Sequence, residues 1–186
     1  MQVDTQSELS RTTLILHWTV GIVMIILLAS GVFMKEAEFY AMYPWHKAFG
    51  VLIIVPVVLR VLWRVKSGWS PPVREYSKLE RVLAKFIHYL LIIGTVILPI
   101  SGFLMSAMGG HGVDLFGLEL VARNPNPLNP QEVIPLNGPV AGIAHEVHEI
   151  AGSIVIIAVI LHTVGVLKHH IFDKDGTLIR MLGVKV

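Results

Sequence analysis

The last hydrophobic stretch of the chain, residues 144–170, constrains the fold most strongly; it reads AHEVHEIAGSIVIIAVILHTVGVLKHH. Two of its histidines, His148 and His162, are fourteen positions apart, and the run from Ile150 to Leu161 between them carries no charge. On an α-helix this spacing is nearly four turns, so both imidazoles lie on nearly one face, about 21 Å apart along the axis. Because a hydrocarbon core is about 30 Å thick, one histidine would lie near each edge of a bilayer. Ionisable groups inside a span are costly and are usually functional or paired, so this pattern suggests ligands for two cofactors.

Composition places the chain among integral membrane proteins. Of its 186 residues, 54% are hydrophobic, and the mean hydropathy is +0.68, values that soluble globular chains rarely reach. The absence of cysteine excludes disulfides, thiolate metal sites, iron–sulfur clusters and covalent haem attachment of the CxxCH type. Basic residues lie in loops beside apolar stretches rather than on one basic surface, so we expect membrane lipid and no nucleic acid as a partner.

Four stretches are apolar and long enough to cross a membrane as helices. We predict an all-α fold, one integral membrane domain that forms a four-helix bundle, with spans at about 13–34, 45–65, 86–108 and 142–168. The second span is the weakest because Arg60 interrupts it, and Pro99 is expected to kink the third. The N-terminus lacks the small-residue cleavage site of a secretory signal, so we expect the first span to be retained.

Residues 109–141 are predicted to form a long polar loop, rich in glycine, proline and asparagine. Its apolar patch from Val113 to Leu120 is compatible with a short interfacial helix. Lysine and arginine placement predicts the orientation: 12 of the 15 lie in the N-terminus, the middle loop and the tail, with the adjoining span ends. The other side holds only Lys35, Lys47 and Arg123. We therefore expect both termini in the cytoplasm and the long loop in the periplasm or its equivalent.

With this orientation, the histidines of the spans fall at two depths. His46 and His148 form an outer pair, and an inner pair is drawn from His17, His88 and His162. Bis-histidine ligation between two helices of a bundle is a common way to hold a haem b. A single histidine in a span is often only a packing residue, but matching depths on several spans argue against coincidence. A structural bundle without cofactor is disfavoured for the same reason.

Glycines accompany these histidines at helical spacing. Three histidines are each followed four residues later by a glycine on the same helical face: His17 by Gly21, His46 by Gly50 and His148 by Gly152. A porphyrin against a helix needs a gap beside its ligand, which glycine provides, although glycines also mark helix contacts in membranes. Two more glycines, Gly31 and Gly102, lie fourteen positions after His17 and His88, and we expect each near the other level.

The segment HEVHE invites comparison with the zinc-protease motif HExxH. That motif would need its second histidine at position 149, where this chain has Glu149, so we reject a zinc-protease site. His145 and His111 are interpreted as solvated loop or interface residues.

Several sequence blocks resemble the bacterial cytochrome b561 family, which consists of four-helix membrane cytochromes with two haems. The blocks are LILHW around His17, PWHKAFG around His46, HEVHEIAG around His148, the fourteen-position step to His162, and the C-terminal HHIFDKDGTLIRML. The resemblance covers essentially the whole chain. It implies that His46 and His148 bind the outer haem b and that His17 and His162 bind the inner one. His88 is then a non-ligand near the inner haem.

The resemblance also implies electron transfer between a periplasmic donor and the quinone pool in a bacterial inner membrane. Some members are similar to superoxide oxidases, which take an electron from superoxide outside and reduce ubiquinone. Related cytochromes serve as the membrane subunit of a dehydrogenase or reductase. Our first hypothesis is a superoxide:ubiquinone oxidoreductase, which the short chain favours. The alternative is a di-haem subunit that relays electrons to or from a periplasmic redox protein, with which the long outer loop is compatible.

Residues near the inner level suggest further roles. Arg60 lies fourteen positions after His46, hence on nearly the same face and one level inward, where we expect it to contact a propionate of the inner haem. His169, seven residues after the last of the span histidines, is expected to form a quinone site with His88 and Arg64, because imidazole can donate to a quinone oxygen. For Arg60 and His169 the alternative is an ordinary residue at the lipid interface.

Lys47 is the candidate for anion attraction at the outer face, because it is adjacent to His46. A positive field there would raise the encounter rate of superoxide, and salt would weaken it. Glu146 and Glu149 oppose such a field, and Lys47 would otherwise only anchor its helix at the headgroups.

Overall fold

The computed structural model describes residues 4–186 as a mainly helical protein with a small β-structured loop. Its helices are α1 (Arg11–Glu36), a 3-10 turn (Tyr40–Met42), α2 (Tyr43–Leu52), α3 (Ile54–Ser67), α4 (Lys78–Met108), α5 (Gly138–Ile171) and α6 (Thr177–Met181). Its strands are β1 (Val113–Leu115), β2 (Leu118–Val121), β3 (Pro125–Asn126) and β4 (Asn129–Val133).

Four helical segments in the described part of the chain are long and apolar enough to cross a membrane: α1, Tyr40–Ser67, α4 and α5. Each of the four predicted spans falls inside one of them. The helices extend beyond the predicted spans, because a helix does not end where the hydrocarbon ends. In the second segment, α2 and α3 follow one another through Ile53, whose amide donates to the Phe49 carbonyl at 3.0 Å.

Local capping residues explain where the long helices begin. Ser10 accepts the Thr13 amide at the start of α1, and Ser77 with Glu80 forms a reciprocal capping box at the start of α4. Asn137 accepts the Val140 amide at the start of α5. The predicted loop 109–141 therefore ends at Asn137, four residues earlier than expected.

The outer loop contains two antiparallel hairpins in place of the interfacial helix that we considered for Val113 to Leu120. β1 pairs with β2, and β3 pairs with β4. Phe116 and Gly117 lie in the left-handed region, with φ of 52° and 93°. Two consecutive residues with positive φ form the tight turn that suits the twist of a hairpin and would break a helix, so the helical interpretation was wrong.

The buried core lies midway along the bundle. Its residues lie at a depth between the outer and the inner histidines. They are Val20, Met24, Leu27, Ile53, Val57, Leu98 and Val155. Helices α4 and α5 pack closely at Gly94, where an added Cβ would clash with Val155 Cγ2. Small residues that let helices approach closely are typical of packing in membranes. Large apolar side chains remain exposed along α1, α3 and α5, as expected of surfaces that face lipid.

One buried arginine joins three segments at the end of the bundle that carries both termini. Arg180 in α6 is only 6% exposed, and its guanidinium donates to the carbonyls of Thr5, Gln6 and Pro71 at 2.9–3.0 Å. The Trp18 indole of α1 donates to the Met181 carbonyl at 2.7 Å. The tail is thereby fixed beside His17, the neighbour of Trp18.

Candidate functional site

The outer level is formed by His46 of α2 and His148 of α5. Their ring centroids lie 6.4 Å apart, and the ring planes are inclined by 84°. A metal bound by an imidazole nitrogen lies about 2 Å from that nitrogen. With about 1 Å more from nitrogen to ring centre, two rings on opposite sides of one metal have centroids about 6 Å apart. The observed separation therefore fits one iron between the two rings.

The second ring nitrogens of the outer pair face hydrogen-bond acceptors. His46 Nδ1 lies 2.8 Å from Ser30 Oγ, and His148 Nδ1 lies 2.9 Å from the Leu98 carbonyl and 3.1 Å from Ser101 Oγ. A carbonyl only accepts, so Nδ1 of His148 carries the proton and Nε2 keeps a lone pair. Metal-ligating histidines usually have an acceptor on the other nitrogen, which fixes the tautomer in this way.

At the inner level the structure brings together three histidines from three helices. His17 of α1 and His162 of α5 have ring centroids 6.4 Å apart, with planes inclined by 51°. His88 of α4 lies closer, 5.2 Å from His162. The His17–His162 separation equals that of the outer pair, whereas His88 is too near to His162 for an iron to fit between them in the same way.

Arg60 of α3 also lies at the inner level. Its Nη2 atom is 3.3 Å from His17 Nδ1. Because a guanidinium has no acceptor, the Arg60 N–H donates to His17 Nδ1 in this arrangement, which places the proton of a neutral His17 on Nε2. Ligation of a metal through Nε2 of His17 therefore requires Arg60 to turn to another acceptor, such as a haem propionate. The fourteen-position spacing from His46 thus leads to a residue beside an inner histidine.

Glycines leave open space beside the histidines. A Cβ added at Gly21 or Gly50 would meet nothing within 4 Å, and one at Gly152 would meet only Leu98 Cδ2 at 3.9 Å. A flat apolar macrocycle can lie against these backbones. Together with the two facing imidazole pairs, this space fits a bis-histidine haem at each level.

The glycines that were expected near the other level contact the outer histidines. A Cβ at Gly31 would lie 3.6 Å from His46 Cε1, and a Cβ at Gly102 would lie 3.0 Å from His148 Cε1 and 3.3 Å from its Nδ1. A side chain at Gly31 would thus make an ordinary contact, whereas one at Gly102 would press against the His148 ring unless the ring moved by a few tenths of an ångström.

The three residues predicted to form a quinone site fall into two groups. His88 and Arg64 meet at Trp69: the His88 ring is 5.8 Å from the Trp69 ring, and Arg64 Cζ lies 5.5 Å from its centroid. His169 instead lies 2.7 Å from Asp173 and packs on Tyr76 with ring centroids 4.8 Å apart. Sequence reasoning missed Trp69 and Tyr76, although aromatic residues in a basic loop beside a span were a usable signal.

The His169 group is a polar network at the end of α5. Asp173 accepts Lys168 and forms an ion pair with Arg74, and these cations, Lys168 first, hold the pKa of the Asp173 carboxyl below its usual range. Burial of Tyr76, whose hydroxyl donates to Asp175 at 2.7 Å, raises the pKa of its phenol. His169, Asp173 and Asp175 have donor atoms close enough for a cation, but the carboxylate of Asp173 is already neutralised by basic side chains.

Lys47 lies at the outer end, between α2 and the loop that follows α4. Its ammonium donates to Ser106 Oγ at 3.2 Å and to the Gly112 carbonyl at 3.1 Å. His111 lies nearby, and burial, then Lys47 and Arg123, lower the pKa of its imidazole. Lys35 forms an ion pair with Glu149 at 2.8 Å, so Glu149 is neutralised by a partner other than Lys47.

Comparison with known proteins agrees with this architecture over nearly the whole chain. The family model for prokaryotic cytochrome b561 matches residues 8–184. Cytochrome b561 homolog 2 of Escherichia coli strain K12 is 32% identical over 173 residues, which cover 90% of this chain and 87% of the relative. Cytochrome b561 homolog 1 of the same strain is 25% identical over 183 residues (95% and 97%), and the probable superoxide oxidase CybB of Yersinia pestis is 25% identical over 174 residues (91% and 93%). The chain therefore belongs to the prokaryotic cytochrome b561 family of bacterial multi-pass membrane proteins, which carry haem b and transfer electrons across the membrane.

Proposed function

We propose that this chain is a superoxide:ubiquinone oxidoreductase with two haems b, one bound by His46 and His148 and the other by His17 and His162. The observation that carries the proposal is the repeated 6.4 Å separation of facing imidazoles at two levels. On α5 the two levels are fourteen positions apart, about 21 Å along the axis. When bound, the haem irons supply one-electron redox chemistry at each level.

The reaction balances with two superoxide anions for each ubiquinone. Each superoxide gives up one electron and leaves as O₂, and ubiquinone takes up two electrons and two protons to become ubiquinol. The chain's own residues hold the two redox centres at opposite edges of the hydrocarbon and supply polar groups at each end.

Placement of the basic residues supports an orientation in the bacterial inner membrane with both termini in the cytoplasm. The hairpin loop between α4 and α5 then faces the periplasm. Superoxide meets the outer level on that side, and ubiquinone enters from the membrane near the inner level. Arg60 is close enough to His17 to pair with a negatively charged propionate of a haem held there.

At the outer face, a small group of cations supports an anionic donor. Lys47 is half-buried beside His46, and it lies near His111 and Arg123. Lys35 and Glu149 form an ion pair and offset each other's charge, and Asp114 is the carboxylate whose charge acts on Lys47. Similarity to a probable superoxide oxidase points to the same donor.

At the inner end, Trp69 with His88 and Arg64 is our candidate for the ubiquinone headgroup. An indole face and two polar side chains are the kind of groups that orient a planar ligand with carbonyl oxygens. The His169–Asp173 pair, with the Tyr76 hydroxyl, is our candidate for proton supply, since the imidazole and the hydroxyl can each donate a proton along the hydrogen bonds that they form here. His169→Ala should then slow ubiquinol formation without removing a haem.

The decisive experiment uses the purified haem-loaded protein in detergent. Superoxide should reduce the haems within the mixing time when quinone is absent, and addition of ubiquinone should reoxidise them with formation of ubiquinol. The His148→Ala variant, which lacks one ligand of the outer level, is the control that should lose the superoxide reaction. Two haems per chain are expected by the pyridine haemochrome assay, and one or none would refute the proposal.

The alternative is a di-haem membrane subunit that relays electrons for a periplasmic dehydrogenase or reductase. Apolar side chains at the hairpin tips favour it, because Leu128 is 95% exposed and Leu118 is 61% exposed, as at a surface that docks a partner. In that case ubiquinol would reduce the haems, whereas superoxide would not.

A further inference from the structure

Ser30 of α1 has a hydrogen-bonding arrangement that settles which nitrogen of His46 carries the proton. Its Oγ lies 2.8 Å from His46 Nδ1 and 2.8 Å from the Leu27 carbonyl. A serine has one hydroxyl proton, and the carbonyl can only accept it. The Ser30 oxygen must therefore accept the Nδ1 proton of His46, which leaves a lone pair on Nε2.

The two outer histidines differ in how many acceptors they have. In the described chain, the hydrogen bond of His46 Nδ1 is to Ser30 alone. His148 Nδ1 has two acceptors, the Leu98 carbonyl and Ser101 Oγ, whose own proton goes to carbonyls of α4. Loss of Ser30 would leave the Nδ1 proton of His46 without its acceptor, whereas loss of Ser101 would leave His148 with a backbone partner.

The inner level has the opposite electrostatics. The positively charged Arg60 lies beside His17. The outer histidines, in contrast, have neutral hydrogen-bond acceptors. An acceptor on the Nδ1 proton makes a ligating imidazole more basic, which stabilises ferric iron. A nearby cation stabilises the extra electron of the reduced state. The two levels are thus biased in opposite directions.

We propose that Ser30 is a positioning residue for the outer haem, which fixes the ligating tautomer of His46 and holds the midpoint potential of the outer haem below that of the inner haem. Electron transfer from the outer to the inner level is then favourable, in the direction from superoxide to quinone. This inference rests on the proposed function, because it needs His46 and His148 to be the outer ligands.

The test is a redox titration of three variants, Ser30→Ala, Ser30→Thr and Ser101→Ala, followed by optical and electron paramagnetic resonance spectra. The outer haem is identified as the one that is missing from His148→Ala. We expect Ser30→Ala to keep both haems and to raise the equilibrium constant for reducing the outer haem several-fold, up to the tenfold that corresponds to about 59 mV for one electron. Ser30→Thr keeps a hydroxyl and should stay close to wild type, and Ser101→Ala should give a smaller shift.

Distinct outcomes separate the failure of this inference from that of the proposed function. An outer potential in Ser30→Ala equal to wild type, or an equal shift of both haems, would overturn the role of Ser30. If Ser30→Ala loses the outer haem, retention in Ser30→Thr supports the role, and loss in both variants overturns it. If His148→Ala keeps both haems, the ligand assignment itself is wrong and the inference falls with it.

Discussion

At the outer level, each histidine directs its Nδ1 to an oxygen atom; at the inner level, His17 directs the same atom to a guanidinium. The facing rings are nevertheless equally far apart, 6.4 Å at both levels. Ring separation therefore depends on helix spacing and residue depth, whereas the electronic environment depends on which residues the neighbouring helices present. Two sites with the same ligands can differ in potential for that reason.

The inner level also carries more charge and more candidate ligands than the outer one. His88 adds a third ring, and Arg64 lies one turn after Arg60 on α3. An arginine that faces a histidine inside the bundle needs a negative partner to be stable there. A haem with its propionates would supply that partner, whereas the outer histidines are satisfied by the protein alone.

The largest expected effect tests which inner histidine is a ligand. We expect His162→Ala to hold one haem per chain, because it removes the ring that faces His17. His88→Ala should keep two, since His88 is too close to His162 to share an iron with it. The pyridine haemochrome assay on both purified variants measures this directly. Loss of a haem from a folded His88→Ala variant would make His88 the ligand and would remove the symmetry between the levels.

A smaller effect is expected from two matched glycine substitutions at the outer level. In Gly102→Ala the added Cβ would lie 3.0 Å from the His148 ring, so the ring must shift, at a cost of about 1–3 kcal/mol as for other overpacked sites. In Gly31→Ala the Cβ would be in ordinary contact with His46 at 3.6 Å. Thermal release of the outer haem, followed by its absorbance, should occur at lower temperature in Gly102→Ala than in Gly31→Ala. Equal release temperatures would indicate that the bundle relaxes around His148.

Helical periodicity accounts for the part of this site that the sequence predicted. It led to the two depths of histidine and to Gly31 and Gly102 as residues of the outer level, whereas the four spans followed from the length of the apolar stretches. Depth follows from counting residues along one helix, because rise per residue is nearly constant. The expectation that Gly31 and Gly102 lie near the other level did not require knowledge of how the helices are rotated, because a step of nearly four whole turns returns to nearly the same face.

Contacts between helices could not be predicted in the same way. Ser30 and His46 are on different helices, and so are Arg60 and His17, and their pairing depends on helix rotation and crossing, which a single sequence does not specify. The outer hairpins were missed because Phe116 adopts a positive φ that is uncommon for an aromatic residue. Trp69 was missed because the loop that holds it has no periodicity.

The smallest expected effect concerns charge at the outer level. There the cations stand apart from the ligands, with Lys47 bound to Ser106 and Gly112, whereas Arg60 touches an inner histidine directly. Because Lys47 bonds to the loop and not to an imidazole, its charge is expected to act mainly on a diffusing anion, so Lys47→Glu should slow haem reduction by superoxide several-fold at low salt and leave reduction by quinol unchanged. Because exposed charges are screened within about 8 Å at physiological ionic strength, the difference should shrink as salt is added.

Lys47→Arg, which keeps the charge, is the matched control for the loss of the contacts to Ser106 and Gly112. If the slower rate of Lys47→Glu persists at high salt, or if Lys47→Arg is equally slow, the role of Lys47 is to fix the loop. Equal superoxide rates in Lys47→Glu and wild type at low salt would remove the steering role and favour the relay subunit.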